Sequence, residues 1–165
     1  TIYKPMFPEH PYTSSIALML QSLDRIKVGG NYIDFTAPDL QGNPVRLSEQ
    51  IDGKVALIDL WASWCGPCRR AAKSMIPVYE KYKSKGFTVV GIAREKAMQT
   101  AVAAAAQDGY PWKILVEIGD AGNIWSMYGV GNSGGGTFLV DRDGKILAIS
   151  PTTEEVEDIL KKMLE

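Results

Sequence analysis

The two cysteines of the chain, Cys65 and Cys68, are separated by two residues in the stretch LIDLWASWCGPCRRA. Paired thiols at this spacing are typical of redox-active sites, because a disulfide can close between them. The apolar residues before the motif predict a buried strand, and the residues after it predict a helix that begins at or just after Cys65. Unpaired N–H groups and the positive end of the helix dipole stabilise a thiolate there. We therefore predict that Cys65 attacks a substrate disulfide and that Cys68 resolves the mixed disulfide.

The dipeptide between the cysteines, Gly66-Pro67, is expected to form the first turn of this helix, since a proline there gives up an N–H group that has no helical partner. Cys68 follows one turn later and is predicted to be the more buried thiol. Other uses of the pair fit the sequence less well. A structural zinc site needs four ligands, and the only histidine, His10, is far from the motif. A purely structural disulfide across so short a loop would stabilise little.

Asp59 is a carboxylate inside the apolar strand VALIDLW. The alternation of side chains along a strand places it on the same face as Leu57 and Trp61. A buried, unpaired carboxylate is costly and has a raised pKa. Proton transfer for Cys68 would account for that cost. The alternative is a carboxylate satisfied by hydrogen bonds near the end of the strand.

Aromatic and basic residues surround the motif. Trp61 and Trp64 either shape the surface of the site or pack in the core, and the pattern alone does not separate these alternatives. Arg69 and Arg70 follow the second cysteine. We interpret them as a solvated helix face rather than as a site that attracts acidic partners.

The segments around the motif predict an α/β fold. The strand over 55–61, the helix after the cysteines and the apolar segment FTVVGIA form a strand–helix–strand unit. An alanine-rich helix, a third strand in WKILVEI and a short helix in AGNIWSMYGV follow. The segment GTFLVDRDGKILAIS predicts a hairpin around Asp143-Gly144, and TTEEVEDILKKMLE predicts a capped amphipathic helix.

The N-terminal part of the chain is less regular. The stretch TIYKPMFPEHPY predicts an extended arm, and a helix is predicted over 14–27. Four apolar residues share one face of that helix: Ile16, Leu20, Leu23 and Ile26. Short β-prone pieces between turn signals then predict a hairpin that leads into the core. The predicted organisation is an arm and helix over 1–27, connecting to an upstream domain, and one domain over 28–165.

Composition narrows the class of protein. The 165 residues suffice for one domain with a core, and 45% hydrophobic with 22% charged residues is ordinary for a globular protein. A net charge of -1, without long blocks of one sign, argues against nucleic-acid or anionic-membrane partners held by bulk charge. No apolar run approaches the ~20 residues of a membrane span, and no signal peptide is evident. Because the chain begins with Thr1, we expect a processed or excised piece.

The motif and its surroundings resemble the TlpA/ResA-like thiol–disulfide oxidoreductases of the thioredoxin superfamily. The stretch DFTAPDLQGNPVRLSEQIDGKVALIDLWASWCGPCR is similar to their N-terminal half and YGVGNSGGGTFLVDRDGKILAI to their C-terminal half, so the resemblance runs from about Val28 to the end. It implies a thioredoxin-like fold with a central mixed β-sheet flanked by helices, an N-terminal hairpin and a preceding helix. It also implies work in the periplasm or at the outer face of a membrane.

The same resemblance implies the roles of residues and partners. Cys65 matches the family nucleophile, Cys68 the resolving cysteine and Asp59 the buried acid of thioredoxin, six residues before the nucleophile. The expected partners are disulfide-containing cell-envelope proteins and an upstream thiol reductant, with membrane anchoring through a segment absent from this chain. We expect a monomer that uses no cofactor, no metal and no nucleic acid.

Two positions depart from the family pattern. The family carries a cis-proline that faces the cysteines, and the backbone beside it pairs with the substrate chain; the aligned residue here is Gly135, in NSGGGTF. A non-proline cis bond costs about 3 kcal/mol, so Gly135 is expected to be trans, and Gly134 and Gly135 offer backbone groups with less fixed geometry. In the helix, Ala71 and Lys73 replace the family's Glu and kinking Pro, and Pro77 displaces the expected kink.

The residues expected to contact the substrate are Trp64, Gly66, Pro67, Gly134 and Gly135. Three functions follow from these observations, and the first is a reductase of cell-envelope disulfides. The second is a binding module whose redox pair is vestigial, which the glycine loop would explain. The third is a dimer that shares a metal or iron–sulfur site through the two cysteines of each chain.

Overall fold

The structure, a computed structural model, describes residues 13–119 and 123–165. Its helices and strands appear in the order that the sequence predicts, with one additional short helix, α2. The elements are α1 (Thr13–Arg25), β1 (Thr36–Pro38), β2 (Pro44–Arg46), α2 (Leu47–Ile51), β3 (Val55–Trp61), α3 (Gly66–Tyr82), a 3₁₀ turn (Lys83–Lys85), β4 (Phe87–Glu95), α4 (Met98–Asp108), β5 (Lys113–Ile118), α5 (Ile124–Met127), β6 (Gly136–Val140), β7 (Ile146–Ile149) and α6 (Thr153–Leu164).

Five strands form one sheet in the order β5-β4-β3-β6-β7, with β3 at its centre. Strand β3 is parallel to β4 and antiparallel to β6, so the sheet is mixed, as expected. Every residue of β3 is buried, which explains its nearly continuous apolar sequence. The predicted hairpin around Asp143-Gly144 is confirmed as the antiparallel pair β6 and β7.

Helices cover both faces of the sheet. Leu57 and Trp61 of β3 belong to a core cluster that also contains residues of α3, α4 and α6. The alternate residues Ile58 and Leu60 belong to a second cluster, with residues of α2 and α5. Because side chains alternate along a strand, the side chain of Asp59 points toward the α3 side of the sheet.

Local sequence sets the ends of α3. Cys65 is its N-cap residue, and the helix begins at Gly66. After the 3₁₀ turn, Gly86 adopts the left-handed conformation with φ 100°, which favours glycine and ends the helical segment. Pro77 lies within α3, as expected from its position in the sequence.

The N-terminal predictions are confirmed in part. Helix α1 covers most of the predicted helix and packs against α5, but Leu20 and Leu23 of its apolar face are exposed. The predicted hairpin is present as β1 and β2, with Gly42 in the turn at φ 84°. The predicted arm, including His10, lies outside the described residues, and the domain boundary at Val28 stays a prediction. None of the helices in the described parts of the chain has both the length and the apolar character needed to cross a membrane.

Candidate active site

Cys65 and Cys68 are joined by a disulfide where β3 leads into α3. The Sγ atom of Cys65 accepts the backbone N–H of Cys68 at 3.4 Å. A sulfur thus fills the N-cap position, where an oxygen of Ser or Asp commonly accepts this hydrogen bond. The predicted location of Cys65 at the helix N-terminus is confirmed.

The predicted order of burial of the two cysteines is wrong. Cys65 is only 7% exposed and belongs to the same apolar cluster as Trp125, whereas Cys68 is partly exposed. The physical reason is that the N-cap side chain turns back over the first helical turn, toward the N–H of Cys68. The exposed part of the motif is the dipeptide Gly66-Pro67.

The two tryptophans beside the motif divide between core and surface. Trp61 is fully buried and packs edge-on against Tyr110, with 5.1 Å between the ring centroids. Trp64 is 56% exposed, and its ring lies 6.2 Å from that of Trp125. Trp64 also lines an open cavity of about 420 Å³ together with Arg94. Trp64 therefore forms part of the surface beside Cys65, whereas Trp61 packs in the core at the end of β3.

Asp59 lies inside the protein, as predicted. The residue is 4% exposed, and burial raises the pKa of its carboxyl group to about 7. No hydrogen bond from the described residues contributes to this shift, so the alternative of a satisfied polar residue has no support. The residue lines a cavity of about 470 Å³ with Ala71 and Ala72 of α3. The carboxyl group therefore lies beneath the helical turn that follows Cys68.

Gly135 is held against the disulfide, while Gly134 is not. The peptide bond before Gly135 is trans, as expected, since no cis peptide bond occurs in the described residues. The N–H of Gly135 donates a hydrogen bond to Sγ of Cys68, with 3.3 Å between nitrogen and sulfur. A Cβ atom at this position would overlap the carbonyl oxygen of Leu60, whereas a Cβ atom on Gly134 would meet no atom within 4 Å. The two glycines are therefore not equivalent.

Arg69 does not lie on a solvated helix face, so that interpretation is wrong for this residue. Its Nε and Nη2 donate to the two carboxylate oxygens of Asp108 at 2.6 and 2.9 Å, and its Nη1 donates to the carbonyl oxygen of Ser63 at 3.2 Å. Hydrogen bonding to this guanidinium lowers the pKa of Asp108. The helical spacing of Arg69 could not reveal that the end of α4 lies beside the start of α3. Arg70 is exposed, as predicted.

Glu95 is a positioning residue that the sequence analysis missed. It is buried at the end of β4, and its carboxylate accepts the N–H and the hydroxyl of Ser63. These bonds fix the loop that joins β3 to α3 and carries Trp64. The signal that singled out Asp59 was an acid inside an apolar strand, and extending that reasoning to an acid at the end of an apolar strand could have found Glu95.

The described residues contain no group of three or more His, Cys, Asp or Glu side chains that could hold a metal ion. Within the described parts of one chain, Cys65 and Cys68 have no further ligands beside them. The proposed sharing of an iron–sulfur site between two chains involves a partner and stays a prediction.

Comparison with known proteins places this geometry in a family. The model of the AhpC/TSA family matches residues 28–149. The thiol-disulfide oxidoreductase ResA of Bacillus thuringiensis subsp. konkukian is 30% identical over 143 residues, which cover 85% of this chain and 80% of that protein. A solved protein assigned as the thiol:disulfide interchange protein DsbE of Chlorobium tepidum is 32% identical, with a TM-score of 0.74 over 85% of this chain and 99% of its own.

A second structure supports the fold. The thioredoxin domain of a thiol-disulfide oxidoreductase from Bacteroides vulgatus has a TM-score of 0.75 at 26% identity, and the match covers 84% of this chain and 99% of that one. The expected thioredoxin-like fold and the resemblance to ResA-like proteins are thereby confirmed. The family model matches most of the chain, and the cysteine pair lies at the start of α3. The chain therefore belongs to the AhpC/TSA family and is a thioredoxin-like relative of the ResA thiol-disulfide oxidoreductases.

Proposed function

We propose that this thiol–disulfide oxidoreductase acts as a reductase of disulfide-containing proteins of the cell envelope. The observation that carries the proposal is the position of Cys65 as N-cap of α3, beside an exposed surface formed by Trp64, Gly66 and Pro67. A thiolate at a helix N-terminus is stabilised by the unpaired N–H groups and the dipole. The likeness to ResA-type relatives supports the same activity.

The reaction divides into two exchanges at sulfur. In the reduced protein, the Cys65 thiolate attacks one sulfur of the substrate disulfide, and the other substrate sulfur leaves as a thiolate. The Cys68 thiolate then attacks Sγ of Cys65, which releases the second substrate sulfur and closes the Cys65–Cys68 disulfide seen here. The substrate gains two electrons, and the protein loses them.

Asp59 is the proposed proton acceptor for Cys68. Its carboxyl group has a pKa of about 7, so that it can take up or release a proton near neutral pH. The cavity that it shares with Ala71 and Ala72 has room for water beside the carboxyl group. Removal of a proton from Cys68 by this route would prepare it to resolve the mixed disulfide.

The proposed substrate surface surrounds the exposed dipeptide Gly66-Pro67. Trp64 offers an exposed ring, and Gly134 lies in the loop before β6. Because the N–H of Gly135 already binds Cys68, the contribution of Gly135 to a bound peptide is its carbonyl group. An extended substrate segment would thus lie across the cysteines, held mainly through backbone groups.

The proposed setting is extracytoplasmic, in the periplasm or at the outer face of a membrane. The partners are envelope proteins that carry disulfides and an upstream thiol reductant that returns the protein to its dithiol form. Anchoring through a segment outside this chain, and action as a monomer, are parts of the same proposal. The names of the ResA and DsbE relatives, a thiol-disulfide oxidoreductase and a thiol:disulfide interchange protein, support partners that carry disulfides or thiols.

A redox titration tests the direction of electron flow. The protein is equilibrated in dithiothreitol buffers of known potential, and the fluorescence of Trp64 and Trp125 beside Cys65 is followed. A midpoint well below the glutathione range, near roughly -270 mV, is expected for a reductase. A midpoint at or above roughly -180 mV would contradict the reductase assignment. If the cysteine pair is vestigial, the protein should have a measurable redox midpoint but should not turn over protein disulfides. If two chains share an iron–sulfur site, the protein purified without oxygen should be coloured.

A further inference from the structure

The contact between Gly135 and Cys68 depends on glycine. A Cβ atom at position 135 would overlap the carbonyl oxygen of Leu60 and would lie 3.0 Å from Sγ of Cys68. The start of β6 therefore approaches the end of β3 more closely than any residue with a side chain would permit. This approach brings the Gly135 N–H within 3.3 Å of the sulfur.

A proline at this position would have no N–H group to offer. The trans glycine therefore adds a hydrogen-bond donor at a point where the family pattern has none. A sulfur in a disulfide is a weak acceptor, and a thiolate carries a full negative charge. Hydrogen bonds to charged acceptors are roughly twice as strong as those between neutral groups. The donor thus stabilises Cys68 more when this sulfur is a thiolate than when it is part of the disulfide.

We propose that the backbone N–H of Gly135 is a catalytic donor that stabilises the thiolate of Cys68 as the Cys65–Cys68 disulfide opens. This proposal rests on the thiol–disulfide exchange described above and assigns to Gly135 a role other than substrate contact. The Cys65 sulfur has its own donor, the N–H of Cys68 at 3.4 Å. Each sulfur of the pair therefore faces one backbone N–H group.

The step assisted by Gly135 is the return of the protein to its dithiol form. A thiolate of the dithiol reductant attacks Sγ of Cys65, a sulfur–sulfur bond forms between them, and the Cys65–Cys68 bond breaks. The electron pair of the broken bond remains on Cys68, where the Gly135 N–H stabilises it as a leaving group. The second thiol of the reductant then displaces Cys65, so that the reductant leaves as a disulfide.

Nuclear magnetic resonance on protein labelled with ¹⁵N-glycine tests the contact without altering the loop. The Cys65→Ser variant isolates Cys68 as the only thiol, and alkylation with iodoacetamide at different pH values gives the midpoint for its ionisation. We expect the resonance of the Gly135 amide proton to move downfield as pH rises, with the same midpoint as the ionisation of Cys68. The chemical shift of the Gly131 amide proton, in the same loop, should not change. A Gly135 proton that does not follow Cys68 would overturn the proposal.

Substitution measures the size of the effect. In the Cys65→Ser background, Gly135→Pro removes the N–H, and we expect the alkylation midpoint to rise by about one pH unit, a roughly tenfold loss of thiolate below the midpoint. In the otherwise unchanged protein, Gly135→Pro should slow reduction of the disulfide by dithiothreitol about tenfold. Gly135→Ala is the matched control, since it adds a Cβ atom that meets the same Leu60 carbonyl oxygen but keeps the N–H, and its midpoint should rise less than that of Gly135→Pro.

An unchanged midpoint for the alkylation of Cys68 in folded Gly135→Pro protein would contradict the proposal. If that variant does not fold, the shift of the Gly135 amide proton in the resonance experiment is the test. Both readouts concern the ionisation of Cys68 and need no substrate turnover. A protein that showed the Gly135 shift but reduced no protein disulfide would therefore refute the proposed function and leave the role of Gly135 standing.

Discussion

The surroundings of the two sulfurs differ in kind, although only one helical turn separates them. On the Cys65 side, the protein presents exposed elements: Gly66, Pro67 and the ring of Trp64. On the Cys68 side, it presents a backbone N–H from Gly135 and, beneath the helix, the cavity that Asp59 lines. This difference suggests a division of tasks, in which substrate recognition belongs to the rim and the handling of charge and protons belongs to the interior.

The largest effect is expected at the cysteines themselves. Cys65→Ser should lower the rate of reduction of a protein disulfide by about a thousandfold or more, because no thiol remains at the helix N-terminus. Cys68→Ser should retain attack but accumulate the mixed disulfide, which is visible as a covalent adduct by mass spectrometry. Adducts that accumulated on Cys68 in the Cys65→Ser variant would reverse the assignment of tasks to the two sulfurs. Retained activity of Cys65→Ser would contradict the two-step exchange itself.

The next effect concerns the free energy of unfolding and its dependence on pH. The folded pKa of Asp59, about 7, lies above its unfolded value, so the native state binds the extra proton, and stability falls as pH rises from about 4 to about 7. Asp59→Asn has no such group to ionise. The free energy of unfolding of Asp59→Asn should equal that of the unchanged protein near pH 4. At pH 8 it should be higher by up to about 4 kcal/mol, as measured by urea unfolding.

Two observations sharpen the test of Asp59. Asp158→Asn, at a carboxylate with 68% side-chain exposure, should show no such divergence and serves as the control. The rate at which Cys68 resolves a preformed mixed disulfide should rise through an inflection near pH 7 in the unchanged protein, and Asp59→Asn should remove that inflection. Parallel stability curves for the Asn variant and the unchanged protein would mean that the carboxyl group is not desolvated.

A smaller effect separates two neighbouring arginines. Arg69→Ala should lower the free energy of unfolding by about 2 kcal/mol at neutral pH, because it leaves the nearly buried carboxylate of Asp108 without its bidentate partner. Arg70→Ala should change it by less than about 0.5 kcal/mol, since Arg70 is exposed. The folded pKa of Asp108 is depressed, so the contribution of Arg69 should be lost as pH falls through that pKa. Equal effects of the two substitutions in urea unfolding would contradict the structure.

The smallest effect on stability is expected at the rim. Trp64→Ala should change the free energy of unfolding by less than about 0.5 kcal/mol, because the ring is largely exposed. It should raise the KM for a protein disulfide by roughly threefold to tenfold while the rate with a small disulfide stays the same. Trp64→Phe should restore most of the binding. An equal loss with protein and small substrates would place Trp64 in the chemistry rather than in recognition.

Much of the framework followed from local sequence. The apolar run of β3, the turn at Gly66-Pro67 and the hairpin of β6 and β7 were all predicted, because each depends on residues within a few positions of one another. The cap of α6 is of the same kind, since Thr152 and Glu155 bond reciprocally across one turn. The burial order of the cysteines was predicted wrongly, because it depends on which core cluster the N-cap side chain meets.

The sequence by itself determined that a cysteine pair stands at a strand–helix junction with a carboxylate, Asp59, in the strand behind it. Periodicity, capping and the cost of burying charge act within a single segment, so they can be read without a fold. Only the tertiary structure decided that Gly135, 67 residues from Cys68, donates to its sulfur, and that Arg69 binds Asp108. These contacts depend on the order of strands in the sheet, which brings β6 beside β3 and the end of α4 beside the start of α3, and no local pattern encodes that order.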